Sequence, residues 1–169
     1  MPQEELNEMV SLSQKERDLM RERAYALMKQ GVKIRDPDRF DLRGKLICGR
    51  NVEIDINVII LGKVILGDNV KIESHCILIS STIGDDSIIR SYSLIEKAEI
   101  GCKSFVGPYG RIRPGSKLGD RVQIGNFVEI KDSTVSSGCR INHLAFVGDA
   151  NLEENVTLGA SSITCNHDG

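Results

Sequence analysis

NVEIDINVIILGKVILGDNVKIESHCILI, running from Asn51 to Ile79, is the stretch from which the fold is read. Ile54, Ile60, Leu66, Ile72 and Leu78 recur through it every six residues, and Val52, Val58, Val64, Val70 and Cys76 stand two places before them. A helix repeats every 3.6 residues and a strand every two, so neither alone gives a period of six. One short strand plus one turn does. Three such units close a triangular coil of about 18 residues whose aliphatic side chains stack inside in columns.

The pattern continues outward from that stretch. Ile100, Val106, Ile112, Leu118, Ile124 and Ile130 form a second unbroken run, preceded two places earlier by Ala98, Ser104, Gly110, Ser116, Val122 and Val128, all small or β-branched. Between and after the runs the phase slips by five, from Ile95 to Ile100, Ile130 to Val135 and Val147 to Leu152. Coils are therefore 17 or 18 residues long, and residues 48–169 hold about seven of them. Glycines such as Gly67, Gly84, Gly101 and Gly119 follow the aliphatic period. They read as relief for tight turns rather than as a phosphate-binding loop. The class is all-β, a parallel β-helix preceded by one α-helix.

Toward the N-terminus the period disappears. Residues 1–10 read as a tail and 11–47 as a connecting helix and linker. Ser13 and Glu16 have capping-box spacing, Leu19, Met20, Ala24, Leu27 and Met28 recur at helical intervals, and Gly31 follows as a stop. RDPDRFD, residues 35–41, fits neither period and reads as an extended connector, with Pro37 disfavouring helix at the residue before it.

Composition narrows the function classes. With 27% charged residues and a net charge of −2, the chain offers no electrostatic case for nucleic acid or an anionic membrane. The opening MPQEEL is acidic and lacks an apolar run, which argues against a signal peptide. No segment approaches the roughly 18 apolar residues of a membrane span. Five widely spaced cysteines without a C-x-x-C pair read as reduced, packed thiols of a cytoplasmic protein.

Stacking lets side chains distant in sequence be placed together. Arg113 follows Ile112 and Lys131 follows Ile130, so the two cations share a column in adjacent coils. Spacing alone allows them either to splay into solvent or to clamp an anion, Arg as a fork and Lys as a point charge. His143 lies two residues after Ile141, with Asn126 one coil before it and Ala160 one coil after. A lone strand histidine is often only a surface or core residue, but a nearby cation pair makes it a candidate base. His75, His143 and His167 are too far apart for a three-histidine metal site, and neither a G-x-S-x-G elbow nor a P-loop occurs. No metal is expected.

The segments GVKIRDPDRFDLRGKL, NVEIDINVII, GPYGRIRPGSKLGDRVQIGNFVEIK, NHLAFVGDA and ITCNHDG together resemble one family, over about residues 11–169. It is the acetyltransferase half of the bacterial GlmU enzymes, which combine glucosamine-1-phosphate acetyltransferase and N-acetylglucosamine-1-phosphate uridyltransferase. The resemblance implies a left-handed β-helix, a homotrimer with sites between neighbouring prisms, and acetyl-CoA as cosubstrate. His143 would be the base. Arg113 and Lys131 would hold the phosphate, Phe146 and Thr157 would line the acceptor pocket, and Ala160, Asn166 and His167 would contact acetyl-CoA. The product would serve UDP-N-acetylglucosamine and cell-wall precursor synthesis.

The match is not complete. Phe146 and His167 stand where the family has Tyr, and Thr157 where it has Asn. The uridyltransferase domain and the later coils of the family are absent from these 169 residues, which reads as a C-terminal truncation. Two alternatives follow: a solenoid that binds a sugar phosphate or UDP-N-acetylglucosamine without turnover, or an acetyltransferase for another amino sugar.

Overall fold

A computed structural model describes residues 2–165. A helix, Gln3–Lys29, leads into 22 short strands arranged as a left-handed parallel β-helix of about seven coils. The first face carries eight strands, from Lys33–Ile34 to Thr157–Leu158. The second runs from Phe40–Leu42 to Phe146–Gly148 and the third from Lys45–Cys48 to Asn151–Leu152, with seven strands each.

The hexapeptide period is the register of these sheets. Ile54 pairs with Ile72 and Ile112 with Ile130, a step of 18, whereas Ile95 pairs with Ile112 and Ile130 with Val147, a step of 17. Each phase slip in the sequence is thus a short coil and not a break. Val58, Ile60, Val106, Ile112, Val122 and Ile130 are wholly buried in one continuous core. Each such side chain contributes about 1.5–3 kcal/mol through loss of apolar surface to water.

The small inner positions do more than save space. Ser87 Oγ accepts a hydrogen bond from Ser104 N–H at 3.0 Å, and Ser104 Oγ accepts one from Val122 N–H at 3.1 Å, so three coils are stitched together. Ser104 also donates to the Gly119 carbonyl at 3.1 Å. Ser104→Ala would orphan a buried N–H and is expected to cost about 1–3 kcal/mol. A lowered midpoint of urea unfolding checks this; an unchanged midpoint would mean the stitch contributes nothing.

Glycine relieves some of the turns as the sequence suggests, Gly62 and Gly107 having φ of 64° and 95°, but not all of them. The left-handed corner between the first and second faces is held by Asn57, His75, Tyr92, Tyr109, Phe127 and Leu144, with φ of 55–62°. Each coil compensates that conformation with a backbone bond to the coil before, such as Tyr92 N–H to Ser74 O at 3.1 Å and Leu144 N–H to Asn126 O at 3.1 Å. Gly101 instead permits close approach between coils, since a Cβ there would lie 2.5 Å from the Gly119 carbonyl carbon.

Two boundaries also differ from expectation. The helix begins at Gln3, so residues 3–10 are helical and not a tail, and Ser13 lies inside the helix instead of capping it. Glu4 and Glu5 in the first turn complement the helix dipole, and the continued helix satisfies the backbone that Ser13 would otherwise cap. Of the apolar stripe, Met20, Ala24 and Leu27 are buried, whereas Leu19 and Met28 are exposed. The solenoid begins at Lys33 and not at residue 48: Lys33–Ile34 pairs with Glu53–Ile54, and Phe40–Leu42 with Val58–Ile60. The connector is therefore most of a first coil. A 3-10 turn, Pro37–Arg39, is inserted at its corner and separates Ile34 from Leu42 by eight residues, which hides the period.

Candidate functional site

Arg113 and Lys131 stand as the register requires, on the outer side of the second face in adjacent coils. Neither cation lacks a counter-charge. Arg113 Nη1 lies 2.8 Å from Glu129 Oε1 and Lys131 Nζ lies 3.1 Å from Asp149 Oδ2, with the two cationic side chains 38% and 40% exposed. Arg111 adds a third pair, Nη2 to Glu96 Oε2 at 3.1 Å, while its Nη1 is buried without a partner. The repulsion of two stacked cations is thus relieved by carboxylates of the protein itself. Half-exposed pairs of this kind contribute at most about 1 kcal/mol each, so an incoming anion can displace them.

Sequence reading singled out neither Glu129 nor Asp149. The signal was present: Glu129 lies two positions before Lys131 on the same outer side, and Asp149 lies one coil beyond Lys131.

His143 occupies the corner between the first and second faces, following the strand Arg140–Ile141. Its Nδ1 is hydrogen-bonded to Oδ1 of Asn126, one coil earlier. The Ser161 N–H donates to the His143 carbonyl at 3.0 Å, which pins the backbone from the other side. A Cβ on Gly125 would come within 3.3 Å of Nδ1, so glycine leaves room for the ring. The side chain is otherwise exposed.

The corner is buttressed by a ladder that sequence reading did not identify. His75, Tyr92, Tyr109 and Phe127, one coil apart, stack with centroids 4.7, 5.1 and 5.0 Å apart. Leu144, next to His143, tops the column at 60% exposure. At the other end Asn57 Nδ2 lies 2.9 Å from His75 Nε2.

The remaining candidates divide between two faces. Phe146 is half-buried on the second face opposite Glu129. Thr157 is exposed on the first face opposite Arg140, and Ala160 is exposed at the corner. Asn166 and His167 lie outside the described residues. Within one chain, His143 and the Arg113–Lys131 column border opposite edges of the second face, because Lys131 pairs with Gly148, five residues beyond His143. At 3.3 Å per residue of extended chain, that is a span of about 16 Å.

Three of the five cysteines are poorly placed to act as nucleophiles. Burial pushes the Cys48 thiol up to about 11 and the Cys76 thiol up to about 12, and Cys139 is fully buried. Among the described residues no group of three or more His, Cys, Asp or Glu side chains is placed to hold a metal ion, and no helix is long and apolar enough to cross a membrane.

A profile of the GMPPB C-terminal domain matches residues 42–142. The chain is 52% identical over 164 residues to the bifunctional protein GlmU of Nitrosomonas eutropha and 50% identical to that of Nitrosospira multiformis. Each alignment covers 97% of this chain and 36% of the relative, so the chain spans about a third of the length of these proteins. Among solved structures, the acetyltransferase domain of PglB from Neisseria gonorrhoeae FA1090 aligns at a TM-score of 0.42 and 15% identity, over 84% of this chain and 62% of that one.

Proposed function

The chain belongs to the family of the GMPPB C-terminal domain, and from that premise we propose that it transfers the acetyl group of acetyl-CoA to the 2-amino group of glucosamine-1-phosphate. The observation that carries this reading is the placement of a cation column and a solvent-facing imidazole on the two edges of one face. Half-identity to GlmU proteins over 97% of the chain supports it.

Arg113 and Lys131 leave Glu129 and Asp149 to take the acceptor phosphate, which orients the sugar amine toward the His143 corner. The amine nitrogen attacks the thioester carbonyl, the new N–C bond forms and the C–S bond breaks. His143 takes the proton from nitrogen and passes it to the departing thiolate, giving the amide and free coenzyme A. Phe146 and Thr157 flank the acceptor, while Ala160, Asn166 and His167 lie toward acetyl-CoA. The face is open to solvent in a single chain, so the opposite wall comes from a neighbouring prism in a homotrimer. Use of acetyl-CoA and a complement of reduced thiols agree with a cytoplasmic location.

Replacing Arg113 by Met is expected to raise KM for glucosamine-1-phosphate about 10–100-fold, the equivalent of one charge-assisted contact. KM for acetyl-CoA should stay within about threefold. Thiol release at varied concentrations of each substrate measures both. An acceptor KM that does not move would remove the clamp from the reading.

A second reading is favoured by two residues. Phe146 offers no hydroxyl, and Thr157 is a shorter donor than the Asn usual in relatives of the GlmU type. Both fit an acceptor with a different amino sugar. Comparing turnover across amino-sugar phosphates under one set of conditions decides between the two.

A further inference from the structure

The base has a structured seat beneath it. His143 Nδ1 meets Oδ1 of Asn126, and no partner engages Nε2 among the described residues. Gly125 provides the clearance that lets the Nδ1 edge lie against the coil before it, since a Cβ there would approach that nitrogen to 3.3 Å. The Asn126 backbone is fixed, because its main-chain carbonyl accepts the Leu144 N–H at 3.1 Å and its neighbour Phe127 is held in the aromatic ladder. The Asn126 side-chain oxygen therefore faces one ring nitrogen, and solvent faces the other.

We propose that Asn126 is a positioning residue: its side-chain carbonyl accepts the Nδ1–H of His143 and so leaves Nε2 as the bare nitrogen that receives the proton. A neutral imidazole carries one N–H, and the hydrogen bond at one nitrogen selects which tautomer is present. With the proton held on Nδ1, the lone pair at Nε2 points out of the corner toward the acceptor amine. Were the proton on Nε2, the ring would present a donor where an acceptor is required, and the amine could not hand over its proton. This inference rests on the proposed role of His143 in acetyl transfer, but the tautomer is measurable without turnover.

The test is nitrogen NMR of the full chain carrying ¹⁵N-histidine, recorded above the pH range in which imidazole titrates, alongside acetylation kinetics. In the unaltered protein the His143 signals should show a protonated Nδ1 and a bare Nε2. Asn126→Leu should move the proton to Nε2 for most molecules and lower kcat about 10–100-fold, since a misplaced proton disables general-base catalysis. KM for acetyl-CoA should hold. Asn126→Asp, which keeps the acceptor, should restore the Nδ1–H pattern and shift the acid limb of the pH–rate profile upward, because a carboxylate favours the charged ring. An unaltered protein with its proton on Nε2, or an Asn126→Leu variant with unchanged tautomer, would overturn the assignment. An unaltered protein that shows the Nδ1–H pattern yet does not acetylate glucosamine-1-phosphate would remove the proposed activity and leave the positioning contact standing.

Discussion

His143→Ala is expected to slow acetyl transfer by about 10²–10⁴-fold, the usual contribution of a positioned general base. The size of the loss follows from the lack of a substitute. Of the three histidines, His75 is stacked on Tyr92 at the foot of the ladder, and His167 lies outside the described residues. The carboxylates Glu129 and Asp149 beside the second face are engaged with Arg113 and Lys131. Because the side chain is exposed and the corner is held by backbone bonds from Leu144 to Asn126 and from Ser161 to His143, the variant should fold and assemble as the parent does. KM for both substrates should change little. A variant that keeps more than about a tenth of the parent rate would place the base elsewhere.

Ile112→Ala is expected to cost about 2–5 kcal/mol, the range for deleting a buried aliphatic side chain whose surroundings relax only partly. Ile112 is wholly buried and stacks between Ile95 and Ile130 in its column. Coils above and below are tied by parallel strands and by the serine stitches, so they cannot close on the void. In a solenoid each coil is stabilised mainly by its two neighbours, and a gap at Ile112 weakens both interfaces. Ile112→Val should cost only about 0.5–1.5 kcal/mol. Urea unfolding of the two variants gives the comparison. If the two midpoints coincide near that of the parent, the column is not packed as described. Since Arg113 is the next residue, the Ala variant should also raise KM for the phosphorylated acceptor.

Legibility differed from element to element. The six-residue period gave the parallel coils, their lengths of 17 and 18, and the pairing of Arg113 with Lys131, since residues one coil apart are neighbours by construction. The same arithmetic placed His143 beside Asn126 and opposite no charged residue. It missed the first coil, where the Pro37–Arg39 turn shifts the phase, and it placed the start of the helix at residue 11 instead of Gln3. The apolar residues before Ser13, Leu6, Met9 and Val10, continue the helical spacing, but they are exposed and so carry no packing signal. The aromatic ladder was equally present in the spacing of His75, Tyr92, Tyr109 and Phe127, yet large rings are not the residues expected at left-handed corners.

What the sequence determined by itself is the stack: which residues point inward, which pair across coils, and that Arg113 and Lys131 share a column. A period encodes that because each coil reads its geometry from the one before. The tertiary structure alone decided that Glu129 and Asp149 neutralise the cation column, that Asn126 engages one nitrogen of His143, and that the column and the imidazole lie on opposite edges of one face. Those outcomes depend on the rotamers of long side chains and on the width of a face, and neither is written in the spacing of the aliphatic residues.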